Sequence, residues 1–223
     1  RVDVHLSAPR DHAEGNSRRV DDRPFGGGPG MVMLAEPLAR CLAAIRAERG
    51  EPEDAQAPLV LFSPIGETLN HAAVERWSAS AGAVLLCGRY EGIDQRFIDA
   101  HVDVQMSLGD FVLSGGEIAA MALLDAVARL QPGVLNDEGS HQLDSFNPAL
   151  DGLLDCPHYT RPEEWAGRSV PAPLMSGHHA QIERWRRDQR LVITAKHRPD
   201  LIDAARKAGR LVPADEAVLA KLG

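Results

Sequence analysis

Residues 83–94, AVLLCGRYEGID, decide the fold, because a short apolar run there stops at a loop flanked by glycines. The apolar run predicts a buried strand, and a short helix is predicted from the end of the loop to about Ala100. The loop at 88–92 places an arginine, a tyrosine and a glutamate where the strand ends. This order of strand, loop and helix is typical of an α/β protein.

The same order occurs on both sides of that stretch. Further strands are predicted by apolar runs at 58–62, 102–106 and 111–113. Further helices are predicted over 31–49, 70–80 and 117–130. Because strands alternate with helices, we predict a parallel sheet covered by helices.

Three glycine-containing loops follow the predicted strands, at 63–66, 88–92 and 107–116. Each glycine could simply allow a tight turn, since only glycine adopts positive φ freely. In parallel α/β sheets, however, ligands bind beyond the carboxyl ends of the strands. Three loops at one such edge therefore predict a ligand pocket.

The two ends of the chain differ from this central part. Val2, Val4 and Leu6 alternate with polar residues, which predicts a strand already under way at the first residue and a truncation before it. Residues 134–148 are polar and lack periodicity. Beyond them the chain is rich in proline and then helical from Gly177 onwards, with two further short helices. We divide the chain into a ligand-binding domain at 1–133, a flexible linker at 134–148 and a small all-helical domain at 149–223.

The composition is that of a globular protein, with 44% hydrophobic and 25% charged residues among 223. The net charge of −8 hides an asymmetry: residues 1–160 carry 12 basic and 24 acidic side chains, whereas residues 161–223 carry 12 and 8. Such a basic segment can mark a nucleic-acid-binding part. Three scattered cysteines argue against a disulfide framework and favour the cytoplasm. No apolar run approaches the length of a membrane span.

Several common catalytic motifs are missing from the sequence. The glycines at 26–30 are not followed by the lysine of a P-loop, and no GxGxxG, HExxH or GxSxG pattern occurs. His178 and His179 are adjacent, so on a helix they point in different directions and form a poor metal site. We therefore predict no metal-binding residues.

The chain resembles the bacterial tRNA (guanine-N1)-methyltransferase family, which modifies the guanosine next to the anticodon, at position 37. The matching segments occur in the order of that family and cover nearly the whole chain. They are VDDRPFGGGPGM (20–31), LFSPIG (61–66), LCGRYEGID (86–94), SLGDFVLSGGE (107–117), DSF (144–146), LLDCPHYTRP (153–162) and LMSGHHAQIERWR (174–186).

The resemblance implies a trefoil-knotted methyltransferase domain that binds S-adenosyl-L-methionine (SAM) in the three glycine loops. Loops of this kind suit the cofactor, because glycine lets the main chain approach a ligand closely. The cofactor-binding residues that the resemblance implies are Ser63, Pro64, Gly88, Glu91, Leu108, Gly109, Asp110, Phe111, Val112, Leu113, Gly115 and Gly116.

Methylation of guanine N1 requires a base, since N1 carries a proton at neutral pH. The resemblance gives this role to Asp144 in the linker, and gives Arg129 the stabilisation of negative charge at guanine O6; both residue types suit these roles. The sequence pattern alone favours Asp144 as a linker or capping acid, and Arg129 as a cation in the last turn of its helix.

The resemblance also implies a homodimer in which the knot of one subunit meets the linker of the other. Arg184, Trp185 and Arg186 would contact the tRNA, although Trp185 could instead belong to the core of the small domain. Arginine is well matched to phosphate. The resemblance also implies that Mg²⁺ takes part in the reaction, but the sequence contains no dedicated cage of carboxylates to hold it.

The sequence departs from the family in four places. A first strand and helix of roughly thirty residues are absent before Val2, which predicts a less stable sheet. Ser17, Phe111 and His178 replace residues that are common in the family. Two alternatives remain: a trefoil-knot methyltransferase acting on another RNA, and a non-catalytic RNA-binding protein that retains the fold.

Overall fold

The predicted apolar runs form a parallel sheet of three strands in a computed structural model, which describes residues 2–134 and 140–222. The strands of this part of the chain are β1 (Asp21–Asp22), β2 (Val32–Met33), β3 (Leu59–Thr68), β4 (Val84–Leu86) and β5 (Val104–Ser107). Strand β3 lies in the centre and pairs in parallel with β4 and β5, while β1 and β2 form a separate antiparallel pair. The predicted α/β fold with a parallel sheet is confirmed.

Helices connect these strands: α1 (Ala35–Arg49), α2 (His71–Ser78), α3 (Gln95–His101) and α4 (Glu117–Arg129). Successive side chains of a strand point to opposite faces of the sheet. Leu59 and Leu61 of β3 accordingly pack in a core cluster with α1 and α3, and Val60 packs in another with Leu123 of α4. Burial of each such large apolar side chain stabilises the fold by roughly 1.5–3 kcal/mol. The sheet is therefore covered on both faces, as its continuous apolar strands require.

Local signals account for where α2 begins and where α1 ends. The Asn70 side chain accepts a hydrogen bond from the Ala73 N–H at 3.0 Å, which caps the first turn of α2. Gly50 ends α1 in the left-handed conformation, with φ +63°. Four other predictions differ from the structure.

The prediction that a helix begins at Met31 is wrong, because β2 occupies the first two positions after it. The Met33 N–H donates to the Gly92 carbonyl at 2.9 Å, and the Met33 carbonyl accepts from the Asp94 N–H at 3.0 Å. These partners lie about sixty residues away. They hold the chain extended until Ala35.

The strand predicted at 111–113 is also wrong. The Phe111 N–H donates to the Gly109 carbonyl at 2.9 Å, which makes a tight turn instead. Strand β3, in contrast, is longer than predicted: SPIG at 63–66 does not end it but shifts its register with β5 between Phe62 and Glu67. Residues 2–7 form no strand, and Val2, Val4 and Leu6 are exposed.

The chain divides into two compact units, Arg1–Val134 and Leu135–Gly223. The second contains the short hairpin β6 (Glu164–Trp165) and β7 (Arg168–Ser169), and the helices α5 (Ala172–Met175), α6 (His179–His197), α7 (Pro199–Lys207) and α8 (Pro213–Leu219). Its core cluster consists of the buried residues Leu153, Leu191, Ile202 and Ala205. Apart from the hairpin, the regular elements described in this unit are helical.

The predicted linker lies partly outside the described residues, at 135–139. Its described part forms a 3₁₀ turn at Ser140–Leu143, and a second such turn follows at Pro148–Leu150. Asn147 is buried between them, and its side chain donates to the His141 carbonyl at 3.0 Å. The division into domain, linker and domain stays a prediction. Among the described helices, none is both long enough and apolar enough to cross a membrane.

Candidate active site

A cavity of about 380 Å³ lies at the carboxyl ends of β4 and β5, beside the middle of β3. It is lined by residues 61–64 of β3, by the segments that follow β4 and β5, and by the start of α4. The volume falls within the range of small-molecule sites, roughly 300–1,000 Å³. Its position is the one at which parallel α/β sheets bind ligands.

Most of the residues predicted to bind cofactor line this cavity. They are Ser63, Pro64, Gly88, Glu91, Leu108, Phe111, Val112, Leu113, Gly115 and Gly116. Gly109 and Asp110 are not among the lining residues and lie in the turn before Phe111. Several apolar residues that the sequence did not single out, including Leu61, Ile93 and Met106, complete the wall.

Two of the loops are joined directly through their main chains. The Gly116 N–H donates to the Gly88 carbonyl at 3.0 Å, and Arg89 forms an antiparallel bridge with Gly115. A Cβ on Gly116 would lie 2.8 Å from the Cys87 Cα, closer than real Cβ atoms come. Glycine is therefore required at 116 for the two loops to approach.

Charged groups surround the rim of the cavity. The Arg89 guanidinium donates to the Glu117 carboxylate at 2.8 Å, which ties the loop after β4 to the first turn of α4. Burial, and after it the negative charge of Glu117, raises the pKa of the Cys87 thiol in spite of Arg89. The thiol is therefore protonated at neutral pH and is a poor nucleophile.

The two residues predicted to act in catalysis lie in different units. Arg129 is the last residue of α4 and is exposed. Asp144 follows a 3₁₀ turn in the second unit and is half-buried. Its N–H donates to the His141 carbonyl at 3.2 Å, and its carbonyl accepts from the Asn147 N–H at 3.3 Å. The roles of Arg129 and Asp144 stay predictions.

The predicted RNA-contacting residues lie together on α6, but both arginines are paired with acids. Arg184 bonds with Asp188 and Asp215, and Arg186 donates to Glu183 at 2.7 Å. The Trp185 ring is half-buried and meets the Tyr159 ring edge-on, with centroids 6.1 Å apart. The basic appearance of this helix is thus partly neutralised locally.

Asp215 is a charged residue that sequence reasoning missed. It is fully buried and accepts hydrogen bonds from Arg187 at 2.8 Å and from the Val212 N–H at 3.2 Å. Burial raises its pKa, but these bonds and the charges of Arg187 and Arg184 outweigh burial and lower it. An acid two residues after Pro213 is a common helix-start pattern and could have indicated a cap, but not the two arginines.

Within the ranges 2–134 and 140–222, no three acidic, histidine or cysteine side chains come together as a metal site. An α/β unit with a cavity at this edge of its parallel sheet belongs to the class of α/β proteins that bind a ligand there.

Comparison with known proteins identifies the group within that class. The chain belongs to the tRNA (Guanine-1)-methyltransferase TrmD family, whose model matches residues 1–204. The resemblance found in the sequence is confirmed.

The similarity to individual relatives extends over almost the entire chain. A protein named tRNA (guanine-N(1)-)-methyltransferase from Paracidovorax citrulli is 79% identical over 221 residues, which are 99% of this chain and 87% of the relative. A protein of the same name from a Polaromonas species is 74% identical, covering 99% and 85%. One from Bordetella pertussis is 57% identical, covering 98% and 85%.

Proposed function

We propose that this protein transfers a methyl group from S-adenosyl-L-methionine to N1 of guanosine at position 37 of tRNA. The protein is a tRNA (guanine-N1)-methyltransferase, and its 79% identity to a relative of that name carries this conclusion. The cofactor, the position in tRNA and the residue roles are the proposed part. A cytoplasmic location follows from a tRNA substrate.

The cavity fits the proposed cofactor in size and in chemistry. An adenosine needs apolar contact on its faces and main-chain groups at its edge, and the wall offers Leu61, Ile93 and Leu113 beside the glycine loops. Gly115 and Gly116 leave the main chain accessible there. When bound, the cofactor supplies an electrophilic methyl group on a positively charged sulfur. A trefoil knot formed by the three loops is part of the proposal.

Asp144 acts as the general base and Arg129 as the cation at guanine O6. The Asp144 carboxylate accepts the N1 proton, so that the N1 lone pair can form the new bond to carbon as the bond from carbon to sulfur breaks. Electron density moves towards O6 as that proton leaves, and a guanidinium donating to O6 stabilises it. The proton ends on the carboxylate.

Two subunits form each site in this proposal, with Asp144 acting on the cavity of its partner. Ile118 and Met121 on α4 support a subunit contact, because large apolar side chains clustered on a surface are typical of interaction sites. The tRNA contact is proposed at Arg184, Trp185 and Arg186. Mg²⁺ remains a candidate ion through the family resemblance and is proposed to act without a protein cage.

The direct experiment compares tRNA transcripts with G or A at position 37. With labelled SAM, we expect methyl incorporation into the G37 transcript only, because adenine lacks a protonated N1 and an O6. Incorporation into both transcripts would favour another RNA site, one of the alternatives raised by the sequence. Incorporation into neither, with SAM still bound, would favour a non-catalytic RNA-binding protein.

A second prediction tests the cavity. Gly116→Ala should weaken SAM binding at least tenfold, measured by calorimetry. The new Cβ would meet the Cys87 Cα at 2.8 Å, so the loops must separate and the bond from the Gly116 N–H to Gly88 is lost. A tenfold change equals about 1.4 kcal/mol, a usual cost for a buried hydrogen bond. Parental affinity in a variant that melts cooperatively would contradict the placement of the cofactor.

A further inference from the structure

The turn that carries Asp144 is bonded to the segment 153–156. The Phe146 N–H donates to the Leu153 carbonyl at 2.9 Å, and the Asp155 N–H donates to the Ser145 hydroxyl at 2.9 Å. Phe146 has φ +72°, a conformation that is costly for a bulky side chain and persists only where its surroundings impose it. Both bonds are made by the two residues that directly follow Asp144. They therefore fix the direction in which the chain leaves it.

The segment 153–156 is in turn bonded to the interior of α6. The Leu154 N–H donates to the Thr194 hydroxyl at 3.0 Å, and Thr194 is fully buried. Arg190, one turn earlier on the helix, donates to the Asp155 carboxylate at 3.3 Å and is itself almost fully buried. The Asp144 turn is thus connected to α6 through one intermediate segment.

Core packing alone does not require these two polar side chains. Thr194 lies on α6 between Leu191, which belongs to the apolar core of the second unit, and Ala195, which packs against that core. A buried hydroxyl costs free energy unless it is hydrogen-bonded, and the same holds more strongly for a guanidinium. Their described partners, the amide of Leu154 and the carboxylate of Asp155, lie in the segment that holds the Asp144 turn.

We propose that Thr194 and Arg190 are positioning residues that set the orientation of Asp144 through segment 153–156. This inference rests on the proposed role of Asp144 as the base. A general base must lie within hydrogen-bond reach of the proton it removes, and a displacement of about 1 Å can lower a rate up to 100-fold. Neither residue contacts the reacting atoms in this arrangement.

The test replaces Thr194 by valine, which has the same shape but offers no acceptor to the Leu154 N–H. We expect the single-turnover rate at saturating tRNA and SAM to fall about tenfold, with the affinity for SAM unchanged. Thr194→Ser keeps the hydroxyl and should restore the rate to within about twofold of the parent. A folded Thr194→Val protein with the parental rate would overturn the proposal, as would a Thr194→Ser protein as slow as Thr194→Val.

A second variant keeps the test decisive if Thr194→Val does not fold. Ser145→Ala removes the acceptor for the Asp155 N–H at the other end of the same path, and should also lower the rate with unchanged SAM affinity. Ser80→Ala, an exposed hydroxyl in the first unit, is the matched control and should keep the parental rate. Equal rates in Ser145→Ala and Ser80→Ala would overturn the proposal.

A double variant separates this inference from the proposed function. If Thr194 acts through Asp144, Thr194→Val should cause no further loss in the residual rate of an Asp144→Asn protein. The same tenfold loss with and without Asp144 would mean a general structural effect and would overturn the positioning role. Parental turnover in Asp144→Asn alone would instead contradict the proposed base.

Discussion

Asp144→Asn is expected to lower the rate of methyl transfer about 1,000-fold and to leave the affinity for SAM unchanged. The amide has nearly the same shape as the carboxylate, but it cannot accept the N1 proton. General base catalysis contributes roughly 10²–10⁴-fold, and N1 is a poor nucleophile while it keeps its proton. The cofactor cavity is lined by residues of the first unit, whereas Asp144 belongs to the second.

Single-turnover methylation of a G37 transcript measures this rate, and calorimetry measures cofactor binding. Asp203→Asn is the matched control, because it makes the same change on an exposed acid of the second unit, which pairs with Arg206 at 3.3 Å. We expect the control to keep the parental rate. Turnover in Asp144→Asn within a few-fold of the parent would exclude Asp144 as the base.

The central sheet could be predicted because each of its strands has a local signal in the sequence. Apolar runs at 58–62 and 83–87 stop at glycine loops, and these became β3 and β4 with the expected parallel pairing. Strand β2 could not be predicted, because Met33 is held extended by partners at Gly92 and Asp94 rather than by its neighbours. Tertiary pairing overrode a helical pattern there.

The candidate site divides in the same way. The cavity at the ends of the strands follows from fold geometry and from the three glycine loops. The roles of Asp144 and Arg129 came from family resemblance alone, and no local pattern distinguishes them from other acids and arginines. On α6, the sequence showed the positive charges of Arg184 and Arg187. It did not show that both pair with Asp215, which lies about thirty residues further along the chain.

Asp215→Asn is expected to have the largest effect on the stability of the second unit, lowering its free energy of unfolding by ~3 kcal/mol at neutral pH. The carboxylate is fully buried and bonds with Arg187, whose side chain is only 20% exposed. Breaking a buried ion pair typically costs about 3–5 kcal/mol. We expect a cost at the low end of this range, because Asp151 also pairs with Arg187, at 2.8 Å, and this pair remains in the variant.

The effect should depend on pH in a defined direction. The folded carboxyl has a pKa below its ordinary value of 3.8, so it binds protons less readily in the folded chain than in the unfolded one. Its contribution to stability is therefore present above about pH 4 and lost as the pH falls through the lower folded pKa. The difference between parent and Asp215→Asn should accordingly be constant from pH 5 to 7 and shrink below pH 4.

Amide hydrogen exchange in the intact chain measures this locally, because peptides from α6 and α8 report on the second unit and peptides from β3 serve as an internal reference. Asp203→Asn is again the control, since its ion pair with Arg206 is exposed and such pairs contribute about 0–1 kcal/mol. If α6 exchanged no faster in Asp215→Asn than in the control, Asp151 alone would be sufficient to hold Arg187. Faster exchange confined to α6 and α8 would instead establish Asp215 as the acid that joins the two helices. Because Asp215 pairs with Arg184 and Arg187, α6 would then offer fewer arginines for phosphate contact than its sequence suggests.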